Sequence, residues 1–138
     1  MRIDLNDNIP GSANFYWSEA LYLGSLGSHV FPRDSEVYDN IIKTTKIMEY
    51  IRELIDCPVR ITSFYRPEKY NKHIGGSIKS AHIQGLACDF VPIGEDLQEC
   101  TRLLIPHLEK LNIRMEKHSG NWIHIDLMPV INNRYFKP

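Results

Sequence analysis

The sequence predicts an α+β domain, because its predicted strands and helices do not alternate regularly and a hairpin closes the chain. With 138 residues, the chain has about the length of one domain and can bury one core without cross-links. No repeat, low-complexity tract or linker-like run divides it. We therefore predict a single small domain over residues 1–138.

The first half of the chain is expected to carry one long helix. Residues 1–35 are irregular by pattern, apart from a short helix expected at 18–23. Asp34 or Ser35 is a suitable N-cap for the long helix, which should end near Asp56. Its apolar stripe follows a spacing of three and four residues and consists of Val37, Ile41, Thr44, Met48, Ile51 and Ile55.

The second half is expected to supply most of the sheet. Residues 58–64 alternate like a half-buried strand, and an ordered loop with one helical turn leads to a strand at 86–92. A second helix is predicted at 95–111, with a kink or broken register at Pro106. Two short strands follow at 113–118 and 121–128, joined by a hairpin-type turn.

Composition excludes several classes of protein. Sixteen Lys and Arg balance seventeen Asp and Glu, so the chain lacks the basic footprint of a nucleic-acid binder. No window resembles a membrane span or an N-terminal secretion signal. The three cysteines, Cys57, Cys88 and Cys100, have no framework spacing and indicate reduced thiols. We expect a soluble protein, cytoplasmic when made, that would need export or release to act elsewhere.

An acid in an apolar strand is the first sign of a site. In "SAHIQGLACDF" Asp89 shares a strand face with Ala87 and Val91, and an ionised carboxylate there must be paired or coordinated. His82 lies on the preceding loop, and Gly85 would let the chain turn back closely enough for His82 and Asp89 to share one ion.

A second histidine is presented from the strand "NWIHIDLM". There His124 and Asp126 share a face with Trp122, while the intervening isoleucines take the other face. Two imidazoles and one carboxylate from His82, Asp89 and His124 form a catalytic zinc set, since three protein ligands leave the fourth tetrahedral position open to water. Zinc would lower the pKa of that water and polarise a carbonyl oxygen.

Such a site also needs a general base. Glu116 is the best candidate, because it lies at the end of the strand expected to pair with the His124 strand. His118, nearer the turn, is the competitor, and the sequence leaves open which of the two points inward.

Two segments together resemble a known family. "ITSFYRPEKYNKHIGGSIKSAHIQGLACDF" followed by "MEKHSGNWIHIDL", spanning 61–127, is similar to the M15 family of zinc D-Ala-D-Ala peptidases, particularly its small phage-associated branch. The shared pattern is SxYR, N, GG, SxHxxGxAxD, E and WxHxD in that order. The opening "SANFYWSEAL" also looks like the N-terminal segment of that branch. The resemblance implies a hedgehog/D-Ala-D-Ala peptidase-like fold, an antiparallel sheet with flanking helices.

The same resemblance implies roles for individual residues. His82, Asp89 and His124 would be the zinc ligands, and Glu116 the catalytic base. Arg66 would hold the scissile carbonyl oxygen or its developing oxyanion. Ser80 would bind substrate near the metal. Asp126 would steady His124 or the local backbone.

The resemblance further implies the activity, hydrolysis of an amide bond in peptidoglycan stem peptides. The bond could be D-Ala-D-Ala, a cross-link or L-Ala-D-Glu. A chain of this kind fits a phage or prophage endolysin that is released by a holin, and a monomer is expected. Two alternatives stay open: a catalytically silent zinc-binding or wall-binding domain of the same fold, and a component of a phage particle.

Overall fold

The computed structural model describes residues 2–117 and 120–138. The predicted turn between the two C-terminal strands therefore lies partly outside the described residues, as does His118. The helices are α1 (Trp17–Leu21), α2 (Ser35–Ile55), α3 (Glu68–His73), α4 (Leu97–Leu104) and α5 (Leu108–Leu111), with 3-10 turns at Ala81–Gln84 and Ile105–His107. The strands are β1 (Tyr22–Leu23), β2 (Ser28–His29), β3 (Val59–Ser63), β4 (Ala87–Pro92), β5 (Arg114–Glu116), β6 (Ile123–Asp126) and β7 (Tyr135–Phe136).

The α+β class is confirmed by one five-stranded sheet and the helices around it. The strand order is β3-β4-β6-β5-β7, and every neighbouring pair is antiparallel except β5 and β7, which are parallel. The sequence analysis expected the hairpin of β5 and β6 to close the chain. This was wrong, because β7, which was not predicted, follows β6. A separate two-stranded ribbon, β1–β2, lies in the N-terminal part.

The long helix follows the prediction closely. α2 begins after Asp34 and ends before Asp56, whose backbone is left-handed, with φ of 52°. The predicted stripe faces the core, and five of its six members are buried; they are Ile41, Thr44, Met48, Ile51 and Ile55. The helix thus covers the sheet with the apolar face that its period predicts.

The second predicted helix is broken where proline predicts a break. α4 stops at Leu104, a 3-10 turn holds Pro106, and α5 adds one further turn. Proline has no backbone N–H and its ring crowds the preceding turn, so an uninterrupted α-helix would be strained there. The helix also starts at Leu97 rather than at residue 95, because the Asp96 side chain caps it by accepting a hydrogen bond from Glu99 N.

The N-terminal segment is less irregular than its pattern predicts. The expected short helix occupies Trp17–Leu21, and the chain becomes extended at Tyr22, where it pairs with His29 in the ribbon. Ile9 and Phe15 from this segment are essentially fully buried in the main core.

Alternation along β4 and β6 separates core from site. Cys88 and Phe90 of β4 and Ile123 and Ile125 of β6 belong to the hydrophobic core. The residues between them therefore point to the opposite face of the sheet. No helix among the described residues is both long and apolar enough to cross a membrane. The three cysteines are free thiols.

Candidate metal centre

The antiparallel pairing of β4 and β6 brings two predicted site residues side by side. Asp89 and His124 are directly opposed in the register. Nδ1 of His124 lies 2.7 Å from Oδ1 of Asp89, and both side chains are largely buried. Their closeness follows from the alternation that sends the flanking apolar side chains into the core.

His82 reaches the same point from the 3-10 turn that precedes β4. Ser80 caps this turn, since its Oγ accepts a hydrogen bond from His82 N at 3.2 Å. Gly85 ends the turn with a left-handed backbone, φ of 74°. This reversal returns the chain to the sheet with the His82 ring facing Asp89, and their Nε2 and Oδ1 atoms are 3.3 Å apart.

The tautomer of His82 follows from the contact that its Nδ1 atom makes. Nδ1 lies 2.6 Å from the backbone oxygen of Phe64, and a carbonyl oxygen can only accept, so Nδ1 carries the hydrogen. In the neutral ring, Nε2 then presents a lone pair. This nitrogen is buried and has no hydrogen-bond partner among the described residues. A buried histidine nitrogen of this kind is suited to bind a metal.

Three ligand atoms converge on one point. One atom from each of His82, Asp89 and His124 lies within 4.8 Å of the other two, so the group could hold a metal ion. Two imidazole nitrogens and one carboxylate oxygen are a donor set that zinc accepts, with a fourth position left for solvent or substrate. The residues present therefore fit the zinc ion that the sequence predicts.

Asp89 and His124 shift each other's pKa in opposite directions. Burial alone would raise the pKa of Asp89, but its contacts with His124 and His82 outweigh burial and hold the pKa far below its usual range. Burial alone would lower the pKa of His124, whereas its contacts with Asp126 and Asp89 raise the pKa to about 9. The carboxylate is thus kept ionised, as metal coordination requires, and at His124 a metal ion bound to Nδ1 would take the place of a proton that these contacts hold.

Arg66 is fixed beside the cluster by three hydrogen bonds. Its guanidinium donates to Ser63 Oγ at 2.9 Å, to Asn71 Oδ1 at 3.2 Å and to Asp89 Oδ2 at 3.3 Å. Asn71 is itself buried and donates to the carbonyl of Ser77 at 2.7 Å. The arginine is therefore a positioned cation rather than a mobile surface charge.

Asp126 contacts the ring nitrogen of His124 that does not face Asp89. Its Oδ2 lies 2.8 Å from Nε2 of His124, which leaves Nδ1 of the ring to face Asp89. Arg114 donates two hydrogen bonds to the same carboxylate, at 2.8 and 3.0 Å. This arrangement is consistent with the steadying role that the resemblance implies for Asp126.

Glu116 lies on the site face of β5. Arg114 and Glu116 flank the buried Met115, so they share the face from which Arg114 reaches Asp126. Continuing the β5–β6 register from Arg114 and Asp126 by two residues sets Glu116 across from His124. The competing base, His118, lies outside the described residues.

All seven predicted site residues line one cleft of about 540 Å³. They are Arg66, Ser80, His82, Asp89, Glu116, His124 and Asp126. Residues 75–77 form part of the rim, and Trp122, Phe136 and Pro138 add apolar wall. The cleft therefore offers a cation, a carboxylate and a candidate metal centre within one space.

Sequence reasoning assigned no role to four residues that shape this site. Ser63 and Asn71 anchor Arg66, and Arg114 and Phe136 lie behind His124. The first two occupy the S and N positions of the motif pattern, which was the available signal. Nothing in the local sequence marked the other two.

The fold and the cluster together define a class, a small α+β protein with a three-residue metal-binding group in an open cleft. A family model described as Peptidase M15 matches residues 25–126, about three quarters of the chain and a range that includes all seven site residues. The chain belongs to this peptidase family, as the motifs predicted. No curated protein matches the sequence.

Proposed function

We propose that this protein is a zinc-dependent peptidase that hydrolyses an amide bond in peptidoglycan stem peptides. Membership of the M15 peptidase family supports peptide hydrolysis in general. The observation that carries the proposal is the convergence of His82, Asp89 and His124, with an unpartnered buried Nε2, beside Arg66 and Glu116 in one cleft. A domain that only bound zinc or cell wall would need neither Arg66 nor Glu116.

His82, Asp89 and His124 would hold the zinc ion through Nε2, a carboxylate oxygen and Nδ1. Zinc bound in such a site supplies a Lewis acid for a carbonyl oxygen and makes a water molecule acidic enough to act at neutral pH. The rest of the chemistry falls to the side chains around it.

Arg66 would bind the carbonyl oxygen of the scissile bond. A guanidinium has five N–H groups, and three of them serve the contacts with Ser63, Asn71 and Asp89. The other two belong to the terminal nitrogens of a side chain that lines the cleft. They can donate to the oxygen as its negative charge develops, without reorganisation of the cation.

Glu116 would move the proton. Its carboxylate takes a proton from the attacking water and delivers it to the nitrogen of the departing amine, so the amine leaves in neutral form. Ser80, at the start of the His82 turn, also lines the cleft and would contact the substrate there. The open cleft is large enough for a short peptide, in keeping with a substrate presented on the cell wall.

The substrate class, a monomeric state and release of the protein to the cell wall, by a holin or with a phage, are parts of this proposal. The three candidate bonds give products of different mass. Mass spectrometry of the released fragments from purified peptidoglycan therefore identifies the bond without prior choice of a synthetic substrate.

The proposal is tested with wild type, Glu116→Gln and Glu109→Gln, an exposed glutamate on α5 that serves as a matched control. We expect wild type and the control to bind about one zinc ion per chain and to release fragments. Glu116→Gln should bind the same amount of zinc and lose about 100-fold or more in rate. Zinc binding without fragment release by wild type would sink the peptidase proposal and favour the silent binding domain. Full activity of Glu116→Gln would remove Glu116 from the mechanism.

A further inference from the structure

Four hydrogen bonds hold the carboxylate of Asp126, which is only 1% exposed. One joins it to His124, two come from Arg114, and the fourth comes from the backbone N–H of Met128 at 3.1 Å. The two bonds from Arg114 end on different oxygens, so they fix the plane of the carboxylate as well as its position. The orientation of His124 therefore depends on Arg114 through the Asp126 carboxylate.

Arg114 is in turn held by an aromatic ring. The guanidinium carbon lies 4.0 Å from the ring centroid of Phe136, a distance at which the cation is attracted to the ring face. The same ring meets His124 edge-on, with centroids 6.3 Å apart and planes at 80°. The contacts described so far run from Arg114 through Asp126 to His124. Phe136 thus packs against both the first and the last residue of this chain of contacts.

The position of Phe136 is set by the parallel strand β7. Met115 N donates to Arg134 O at 2.7 Å, and Lys117 N donates to Phe136 O at 2.6 Å. These bonds fasten β7 along β5, the strand that also carries Arg114. The strand that the sequence did not predict is therefore the one that completes the support behind His124.

We propose that Arg114 and Phe136 are positioning residues that together set the zinc affinity of the site. Arg114 acts on His124 through Asp126, and Phe136 acts both through Arg114 and by its own edge-on contact with the His124 ring. Phe136 restricts the guanidinium plane, Arg114 fixes the Asp126 carboxylate, and Asp126 holds the His124 ring with Nδ1 directed at Asp89 and His82. Lysine could not replace Arg114, because an ammonium lacks the planar pair of donors and stacks less well on a ring. The inference rests on the proposed function only in taking zinc as the ion.

The test compares zinc affinities by competition with a chromogenic chelator for wild type, Arg114→Lys, Phe136→Leu and the double variant. Residues that orient a ligand in this way typically change metal affinity by about 10-fold to 100-fold, so each single variant should bind zinc at least about 10-fold more weakly. The double variant should lose less affinity than the sum of the two single losses, because Phe136 acts in part through Arg114.

Two controls separate positioning from general loss of structure. Phe136→Tyr keeps the ring and should keep wild-type zinc affinity. Arg102→Lys alters an exposed arginine paired with Glu99 on α4 and should have no effect. Thermal melting of the zinc-free proteins shows whether each variant is folded at the temperature of the titration.

The outcomes distinguish this inference from the proposed function. Unchanged zinc affinity in Arg114→Lys and Phe136→Leu would overturn the inference and leave the peptidase proposal intact. Additive losses in the double variant, or loss of affinity in Phe136→Tyr, would also overturn it. If wild type binds zinc without cutting peptidoglycan, the peptidase proposal falls while the affinity comparison still decides the inference. If wild type binds no zinc, both fall.

Discussion

Replacement of Gly85 by alanine should destabilise the protein for two separable reasons. Gly85 has a left-handed backbone, with φ of 74°, at the end of the turn that carries His82. A Cβ atom placed there would lie 2.8 Å from Cγ1 of Ile41 and 3.0 Å from the backbone oxygen of Val37. Both neighbours belong to α2, so the turn rests directly on the long helix.

The expected loss is a sum of two contributions. A left-handed backbone costs a residue with a Cβ about 1–2 kcal/mol, and overpacking against a filled core costs about 1–3 kcal/mol. The unfolding free energy should therefore fall by about 2–5 kcal/mol. A loss of about 3 kcal/mol lowers the melting temperature of a domain of this size by about 10 °C.

Gly94 provides a matched control. Its φ is 83°, and a Cβ there would meet nothing within 4 Å, so Gly94→Ala carries the backbone cost alone. Urea unfolding of wild type and both variants measures the two contributions. Zinc titration should in addition show weaker binding for Gly85→Ala only, because the displaced turn carries His82. Equal destabilisation by the two substitutions would refute the close approach of Gly85 to α2.

Three further predictions test other parts of the fold and site. Asn71→Ala removes both the acceptor for Arg66 and the amide donor to Ser77 O, so urea unfolding should show a loss of about 1–3 kcal/mol; wild-type stability would contradict these contacts. Burial raises the pKa of Glu49, but hydrogen bonds from residues 12–14 outweigh it and lower the pKa; the stabilisation is present above the usual glutamate pKa and lost as pH falls through the lowered value, so the stability advantage of wild type over Glu49→Gln should shrink in acid, and a constant advantage would refute the linkage. Removal of zinc by a chelator should leave the circular dichroism spectrum nearly unchanged, and zinc at about 100 times its Kd should raise stability by about 2.7 kcal/mol; an unfolded zinc-free protein would contradict a site built on a preformed sheet.

Periodicity predicted the elements that bury a continuous face. α2 was predicted to within a residue because its apolar stripe recurs over about five turns and Asp34 and Asp56 mark its ends. The faces of β4 and β6 were also predicted, since an acid or a histidine between core residues is visible in an alternating strand. The helical stripe and the strand alternation are local in sequence, and both are present in the folded protein.

Pairings that depend on distant parts of the chain were not predictable in this way. β7 has only two residues, which is too short to show an alternating pattern. Its parallel pairing with β5 joins it to a strand about twenty residues earlier in the chain. Because Phe136 reaches the site only through that pairing, its contact with Arg114 had no local signal. The motif pattern marked Ser63, but its contact with Arg66 was not predictable, since β3 has an irregular register between Ile61 and Ser63.

The two halves of the cleft are built on different kinds of structure. Asp89 and His124 come from strands whose other faces form the core, whereas residues 75–80 contribute part of the wall from a loop that supplies none of the three candidate ligands. Ile78 in this loop is 90% exposed. Exchange of residues 75–79 between family members leaves the Ser80 cap of the His82 turn in place. It should therefore transfer preference for one peptide bond over another while the zinc affinity stays constant. Substrate preference can therefore change at the rim of the cleft while the core and the candidate metal site stay the same.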